Sequence, residues 1–243
     1  LTYSRHRKMS FFSTPSFGGY FAGTFGSGFF NAALRLMPPQ APRPPLFIVK
    51  VLVFGASLLP LIGLCWLAWH EQLGVNPVET LSHLTGDWSL RFLLLTLAIT
   101  PLRQISGWNA LIKFRRMLGL FAFFYVCLHF SVYLVFDQFF DLNSIIEDVA
   151  KRPYITVGFA GWLLLVPLAV TSTSGMMKRL GRNWQRLHRL VYLTGALGVL
   201  HYLWLVKTDH TEPLLYAGIL ALLLGYRLWW WCAQSATVNR STR

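Results

Sequence analysis

The chain has 243 residues, of which 54% are hydrophobic and only 13% are charged, and its mean hydropathy is +0.47. Soluble domains carry about 25% charged residues, so this composition excludes a disordered chain, a coiled coil and a disulfide-rich secreted scaffold. It predicts an integral membrane protein, whose formal net charge of +13 needs a separate explanation.

The first 45 residues differ in composition from the rest of the chain. They are rich in Gly, Ser and Phe and end in a proline-rich stretch. No apolar run among them approaches the roughly 20 residues that a membrane-spanning helix needs. We expect residues 1–45 to be a disordered N-terminal extension. Residues 1–36, which precede Met37, are expected to be either part of it or an over-long gene model.

Six apolar runs follow, and each predicts a membrane-spanning helix. They lie near Leu46–Trp69, 88–101, 117–136, 154–171, 187–206 and 214–232. The second run is the shortest, and its flanks are expected to extend it. The predicted fold is therefore all-α: an integral-membrane bundle of six helices over residues 46–233, followed by a short cytoplasmic tail at residues 234–243.

The charged residues indicate which side of the membrane each loop faces. All nine acidic residues fall after the first, third and fifth spans, and 18 of the 22 basic residues fall on the opposite side. Lys and Arg mark the cytoplasmic side. We therefore expect a multi-pass protein of the bacterial inner membrane with both termini in the cytoplasm. Because the basic residues border apolar spans rather than form one soluble surface, they do not indicate nucleic-acid binding.

Two of the seven histidines, His129 and His201, lie inside apolar runs. Ionisable residues at membrane depth usually face the bundle interior and mark function. His129 follows Arg116 by 13 residues, and His201 follows His188 by 13. At 1.5 Å per residue, each histidine lies about 18–20 Å from the cytoplasmic border. Because the third and fifth spans run in the same direction, the two histidines are expected at the same level.

Two neutral imidazoles that face each other at one depth can supply both axial ligands of a b-type haem. The chain has no C-x-x-C-H motif, so covalent attachment of the haem is not expected. The alternative is that each histidine only forms a hydrogen bond between helices. A zinc site is less favoured, because zinc takes three or four protein ligands and only Cys127 lies near this level.

His188 lies about 20 Å closer to the cytoplasm on the same span, and this spacing suggests a second redox site. At about 100° per residue, however, His188 and His201 lie on different faces of an ideal helix. The third span offers Arg115, Arg116 and Met117 at the lower level, and no histidine. The lower site therefore lacks an obvious second ligand.

Six spans with histidines on the third and fifth resemble the ferric-reductase-like transmembrane domain. Shorter motifs narrow the resemblance: Asn76-Pro77-Val78, Ile99-Thr100-Pro101-Leu102, Arg115-Arg116-Met117-Leu118-Gly119-Leu120, Lys151-Arg152-Pro153-Tyr154, Leu180-Gly181-Arg182-Asn183-Trp184-Gln185-Arg186-Leu187-His188 and His201-Tyr202-Leu203-Trp204. Together they resemble one bacterial family, MsrQ, also called YedZ. The resemblance covers about residues 46–230, and the stretch that ends at His188 is its most specific part.

The resemblance implies a membrane subunit that binds b-type haem, as one or two groups, and flavin mononucleotide (FMN). Such proteins pass electrons from the quinone pool or a cytoplasmic flavin reductase to MsrP, a periplasmic molybdopterin enzyme that reduces methionine sulfoxide in oxidised proteins. By position, His129, His188 and His201 correspond to the family's haem histidines. Larger relatives have a further histidine where this chain has Arg115, so a flavin, or a haem with another ligand, fits the lower level better.

Two other functions stay open at this point. A ferric or oxygen reductase of the same fold needs a nicotinamide- and flavin-binding domain, and the chain contains no G-x-G-x-x-G motif. A transporter with a histidine proton relay would be colourless and would have polar or broken helices near the midplane. Gly158, Gly161 and Pro167 in the fourth span fit that alternative, but the spans carry few other ionisable residues.

Overall fold

The computed structural model describes the backbone of residues 45–241 and the side chains of residues 45–233, and this part of the chain is helical without a strand. The α-helices are α1 (Leu46–Trp69), α2 (Pro77–Ser106), α3 (Ile112–Val132), α4 (Leu142–Lys151), α5 (Pro153–Val170), α6 (Ser174–Leu180), α7 (Arg182–Leu187), α8 (Leu190–Leu205) and α9 (Thr211–Ser241). A 3-10 helix, Asn109–Leu111, precedes α3, and a π-helical turn, Tyr133–Asp137, continues it. The extension predicted for residues 1–45 lies outside the described residues up to position 44.

Four helical stretches of the described chain are long and apolar enough to cross a membrane. They are Leu46–Trp69, Asn109–Asp137, Pro153–Val170 and Thr211–Ala233. The other two predicted spans correspond to α2 and α8. α2 carries charged residues along its length, among them Asp87, Arg91 and Arg103, and α8 has only 16 residues. The all-helical prediction is confirmed, and four of the six predicted spans meet both criteria.

α2 begins well before the apolar run that predicted it, at Pro77 rather than near residue 88. The Asn76 side chain caps this end, since its Oδ1 accepts a hydrogen bond from the Glu79 N–H (3.4 Å) and its Nδ2 donates to Glu79 Oε2 (3.0 Å). Pro77 occupies the first helical position, where its missing N–H leaves no bond unmade. The start of this helix is therefore determined by its cap, and the apolar run alone placed it too late.

α2 lies at the centre of the packed structure. It packs along α3, α5 packs along α8, α9 contacts α2 and α8, and α1 contacts α2 and α3. The buried side chains that α2 and α3 contribute to the hydrophobic core are Leu90, Phe92, Leu93, Leu94, Leu97, Ile99, Phe114, Leu118, Phe121, Ala122 and Tyr125. Two helix pairs, α2 with α3 and α5 with α8, therefore make up most of the bundle.

α1 has a mostly exposed apolar surface. Only Ser57 and Leu64 of its 24 residues are buried, while large side chains such as Phe47 (75% exposed) and Trp66 (63% exposed) face outwards. Lipid tails are as apolar as these side chains, so a bilayer solvates a surface that water would not.

A proline inside α1 is accommodated by a side chain from α3. Next to Pro60, the buried Tyr125 hydroxyl donates to Ser57 O (2.9 Å) and accepts from the Leu61 N–H (3.1 Å). The hydroxyl thus stands between a carbonyl and an amide that would bond directly in an uninterrupted helix. This insertion fastens α1 to α3.

A second proline is accommodated in the same way in α2. Pro101 has no N–H to offer the Leu97 carbonyl four residues earlier, and Arg227 of α9 donates to that carbonyl through Nη2 (2.7 Å). The same guanidinium donates to the Tyr192 hydroxyl of α8. Arg227 therefore joins α9 to both helix pairs.

Candidate functional site

His129 of α3 and His201 of α8 face each other inside the bundle. Their ring centroids are 6.1 Å apart, and the ring planes meet at 78°. Each histidine belongs to a different helix pair, so the contact between the rings joins the two halves of the bundle. The structure thus brings together the two histidines that sequence reasoning placed at one level.

Each imidazole forms a hydrogen bond to the backbone of the helix paired with its own. His129 Nδ1 lies 2.9 Å from the Ser82 carbonyl oxygen on α2, and His201 Nδ1 lies 2.7 Å from the Tyr154 carbonyl oxygen on α5. A carbonyl oxygen only accepts, so Nδ1 is the protonated nitrogen and Nε2 keeps its lone pair. Histidines that bind metals are commonly oriented in this way.

Both histidines line a cavity of about 760 Å³. Its volume lies within the range of cofactor sites, which are mostly apolar with a few polar groups. Side chains of the apolar wall include Leu90, Leu93, Val126, Phe130, Phe159 and Leu165. The cavity therefore suits a large, flat, mostly apolar group between the two helix pairs.

Many of the polar residues that line the cavity come from the π-helical turn, α4 and the start of α5. Asp148 lies at the centre of this group: it accepts from Gln138 Nε2 (2.7 Å) and pairs with Arg152 (3.2 Å). Asp137 and Glu147 also line this part. These residues follow the third predicted span, so the cavity reaches the side of the acidic loops.

One buried donor in the cavity wall has no partner. The Trp162 indole N–H is buried and finds no acceptor among the described residues, while its ring stacks on Phe130 with centroids 4.5 Å apart. Leaving a buried donor unpaired costs about 1–3 kcal/mol. A bound group that carries an acceptor would remove this cost.

The donor set distinguishes a metal in a macrocycle from a metal ion held by protein alone. Within the described part of the chain, no cluster of three or more His, Cys, Asp or Glu suited to a metal ion is present, and zinc requires three or four such ligands. Metal–imidazole bonds are about 2 Å long, so one metal fits between two rings 6.1 Å apart. The pair fits a metal whose other ligands come from its own macrocycle, as in haem.

His188 lies elsewhere, and its local structure differs from the prediction. It follows the last residue of α7 instead of starting the fifth span, and α8 begins only at Leu190. Its ring stacks on Trp184 (3.8 Å between centroids), and its Nε2 lies 3.4 Å from Ser172 Oγ. The bend between α7 and α8 removes the ideal-helix relation between His188 and His201, on which the sequence argument about their faces depended.

The surroundings of His188 include a cation, Arg115. Among the described residues, no second histidine is observed in contact with His188. Burial lowers the pKa of His188, and the positive charge of Arg115 adds to this effect. The imidazole is therefore favoured in its neutral form, in which it can bind a metal. Arg115 of α3 is close enough to act on His188 electrostatically, as its sequence position suggested.

Sequence reasoning missed several residues that form the site. Ser82 and Tyr154 contribute main-chain carbonyls, and Gly86 and Gly158 pack against the two imidazoles. His83, which lies outside the predicted second span, lies on α2 and also lines the cavity. No sequence signal marked the two carbonyls in advance; only the structure shows that each precedes its histidine by 47 residues.

Comparison with protein families gives the class of protein. The family model described as "Ferric reductase like transmembrane component" matches residues 85–199, which include His129 and most of the two helix pairs and end two residues before His201. Together with the helical membrane bundle, this match defines a ferric-reductase-like membrane protein. No solved structure matches the chain.

Curated relatives then give the particular family. A protein of Herminiimonas arsenicoxydans is 55% identical over 193 residues, which cover 78% of this chain and 88% of the relative. A protein of Xanthomonas euvesicatoria is 56% identical over 200 residues, covering 79% and 92%. Both are named "Protein-methionine-sulfoxide reductase heme-binding subunit MsrQ". The chain belongs to the MsrQ family.

Proposed function

We infer that this chain is a b-type cytochrome of the membrane, with His129 and His201 as the axial ligands of one haem. The observation that carries the inference is the facing pair of imidazoles with both Nδ1 atoms bonded to carbonyl oxygens. This arrangement leaves both Nε2 atoms available as ligands. The names of the relatives, which describe heme-binding subunits, support the same cofactor.

The chain's residues hold and shield the cofactor, while haem itself supplies reversible one-electron chemistry at its iron. Phe130, Phe159 and the leucines of the cavity wall exclude water from the imidazoles. The Trp162 N–H is available to donate to an acceptor on the bound group. Arg152 and Lys151 also line the cavity, and both are already paired, with Asp148 and Glu147 respectively.

The membrane arrangement that we propose has six spans: α1, α2, α3 with its π-helical turn, α5, α8 and α9. α2 has 30 residues, enough to cross a bilayer, and Asp87 and Arg91 in its interior pair with each other (3.5 Å). α8 has 16 residues and is continued by its capping residues, Arg189 and Val206. The loops rich in Lys and Arg then face the cytoplasm of a bacterial inner membrane. Both chain ends lie on that side.

In this arrangement the chain conducts electrons towards the periplasm. The donor is the quinone pool or a cytoplasmic flavin reductase, and the acceptor is an MsrP-like molybdopterin enzyme that reduces methionine sulfoxide in oxidised periplasmic proteins. The polar part of the cavity lining, on the side of the acidic loops, is the exit. The chain is therefore the electron-transfer subunit, and the reduction of methionine sulfoxide takes place on the partner.

A second cofactor belongs near His188. Its neutral imidazole, the stacked Trp184 and the nearby Arg115 combine a ligand, an aromatic surface and a cation. FMN suits this set, because Arg binds phosphate well. A second haem with His188 and a ligand other than histidine is the competing assignment. Loss of a flavin or of a second haem only in His188→Ala distinguishes this site from the central one.

The test of the central proposal is the optical spectrum of the purified protein after reduction with dithionite, with haem quantified as the pyridine haemochrome. We expect His129→Ala and His201→Ala each to lose the central haem, because one imidazole alone leaves the iron with an open axial position. His210→Ala, a change at an exposed residue between α8 and α9, is the matched control and should keep the spectrum.

Two results would reject the assignment. A full spectrum in both alanine variants would show that other residues bind the iron. A colourless wild-type protein would reject the cytochrome and favour the histidine proton relay. A ferric or oxygen reductase subunit of the same fold would keep the haem spectrum but reduce Fe(III) or oxygen without a periplasmic partner.

A further inference from the structure

The two halves of the bundle present the same three groups to the cavity at the same sequence intervals. In each half a carbonyl precedes the histidine by 47 residues and a glycine precedes it by 43. The sets are Ser82, Gly86 and His129 on α2 and α3, and Tyr154, Gly158 and His201 on α5 and α8. The two helix pairs therefore repeat one arrangement for holding an imidazole.

The glycine matters because it lies one helical turn beyond the carbonyl, on the same helix face. A Cβ at Gly158 would lie 2.7 Å from His201 Nδ1 and 2.9 Å from its Cε1. At Gly86 the corresponding distances to His129 are 3.2 and 3.3 Å. Carbon atoms in contact prefer about 3.5–4.0 Å, so a Cβ at either position would crowd the ring, and at Gly158 something would have to shift.

The clearances also differ between the halves. The Gly158 distance is shorter than real Cβ contacts, so the ring of His201 would have to leave its place. The Gly86 distance requires a displacement of only a few tenths of an ångström. A methyl group at either position would push against the Nδ1–Cε1 edge, which is the edge that donates to the carbonyl. The hydrogen bond and the ring orientation are therefore disturbed together.

We propose that Gly86 and Gly158 are positioning residues that set the planes of the two imidazoles, with Gly158 the more restrictive. The proposal rests on the proposed function, since a ring plane has a measurable consequence when the imidazole binds iron. The glycines touch the ligands and not the iron, so they act through His129 and His201. In each half of the bundle the glycine thus limits how the histidine ring can turn.

The experiment compares three glycine-to-alanine variants of the full chain. We expect Gly158→Ala to lower haem affinity about 10–100-fold, the usual effect of disturbing a group that orients a metal ligand. Gly86→Ala should keep its haem, with shifted electron paramagnetic resonance g-values and a shifted midpoint potential. Gly119→Ala is the matched control: it lies on α3, and its Cβ would meet the Thr96 side chain at an ordinary 3.6 Å.

A double-mutant cycle separates crowding of the ring from general damage to the fold. We expect Gly158→Ala to lower the apparent Tm in the wild-type background and to leave it unchanged in the haem-free His201→Ala background, where the ring is gone. A Tm loss of equal size in both backgrounds would overturn the proposal. So would a Gly158→Ala protein with the haem content, g-values and potential of the wild type.

Different experimental results would reject the positioning role of the glycines and the proposed function. A wild-type protein without haem rejects the cytochrome, while the Tm cycle still measures whether the glycine makes room for the ring. Equal haem loss in the Gly86, Gly158 and Gly119 variants would reject the positioning role and leave the cytochrome intact.

Discussion

The two imidazoles at the centre of the bundle are oriented by main-chain atoms. The acceptors are the carbonyl oxygens of residues 82 and 154, and the Thr85 hydroxyl donates to the first of them as well (3.0 Å). His129 and His201 were identified from sequence because depth follows from helical rise. Their acceptors were not, because every residue has a carbonyl and none marks itself as a partner.

A prediction at this scale concerns the side chains at the two acceptor positions. Because only the carbonyls bind the imidazoles, we expect Ser82→Ala and Tyr154→Phe to keep haem content and midpoint potential at the wild-type values. The measurements are a pyridine-haemochrome assay and a redox titration. Loss of haem in Ser82→Ala would mean that the serine hydroxyl, and not the carbonyl, holds His129.

The first residue of a helix does not always coincide with the first residue of its apolar run. α2 begins at a cap, Asn76 with Glu79, that lies outside its apolar run, and α8 begins only after His188 and a bend. An apolar run records which residues lie in the membrane, whereas caps and tertiary contacts decide where a helix begins. Prolines inside helices depend on tertiary contacts in a similar way. Each proline leaves the carbonyl four residues earlier without its N–H donor, and only a neighbouring helix can provide a replacement.

The hydroxyl of Tyr125 gives a prediction at the scale of these elements. Tyr125→Phe removes the group between Ser57 O and the Leu61 N–H next to Pro60. In a bilayer no water replaces it, so we expect a destabilisation of about 1 kcal/mol. The measurement is reversible unfolding in mixed micelles.

Tyr226→Phe is the matched control for this change. The Tyr226 ring stacks on Trp230 (6.4 Å between centroids), and within the described residues no hydrogen bond of its hydroxyl is observed, so its stability should not change. If Tyr125→Phe were as stable as the wild type, the hydroxyl would contribute nothing to joining α1 and α3.

At the scale of the whole molecule, acidic and basic residues are concentrated in different loops, and the cavity reaches the acidic loops. Four acidic residues of the described chain line the cavity: Asp137, Glu147 and Asp148 come from the segment between α3 and α5, and Asp87 comes from α2. The stretch rich in Lys and Arg around α6 and α7 carries His188. In the proposed orientation, one candidate cofactor site therefore lies near the periplasm and the other near the cytoplasm.

The orientation can be tested with single cysteines in a chain whose native Cys65, Cys127 and Cys232 are replaced. We expect a membrane-impermeant maleimide to label Asn143→Cys, on α4, in intact spheroplasts. Arg182→Cys, on α7, should react only after the membrane is opened, because Lys and Arg mark the cytoplasmic side. Labelling of Arg182→Cys but not Asn143→Cys in intact spheroplasts would show that the topology is the reverse of the one proposed.

The sequence by itself determined the class of protein and predicted the side preference of each loop and the common level of His129 and His201. These properties follow from local composition and from helical rise, which need no knowledge of neighbouring helices. The tertiary structure decided that the two rings face each other, which nitrogen of each carries the proton, and how little room Gly158 leaves. Such properties depend on contacts between residues far apart in the chain, where only packing determines distance and direction.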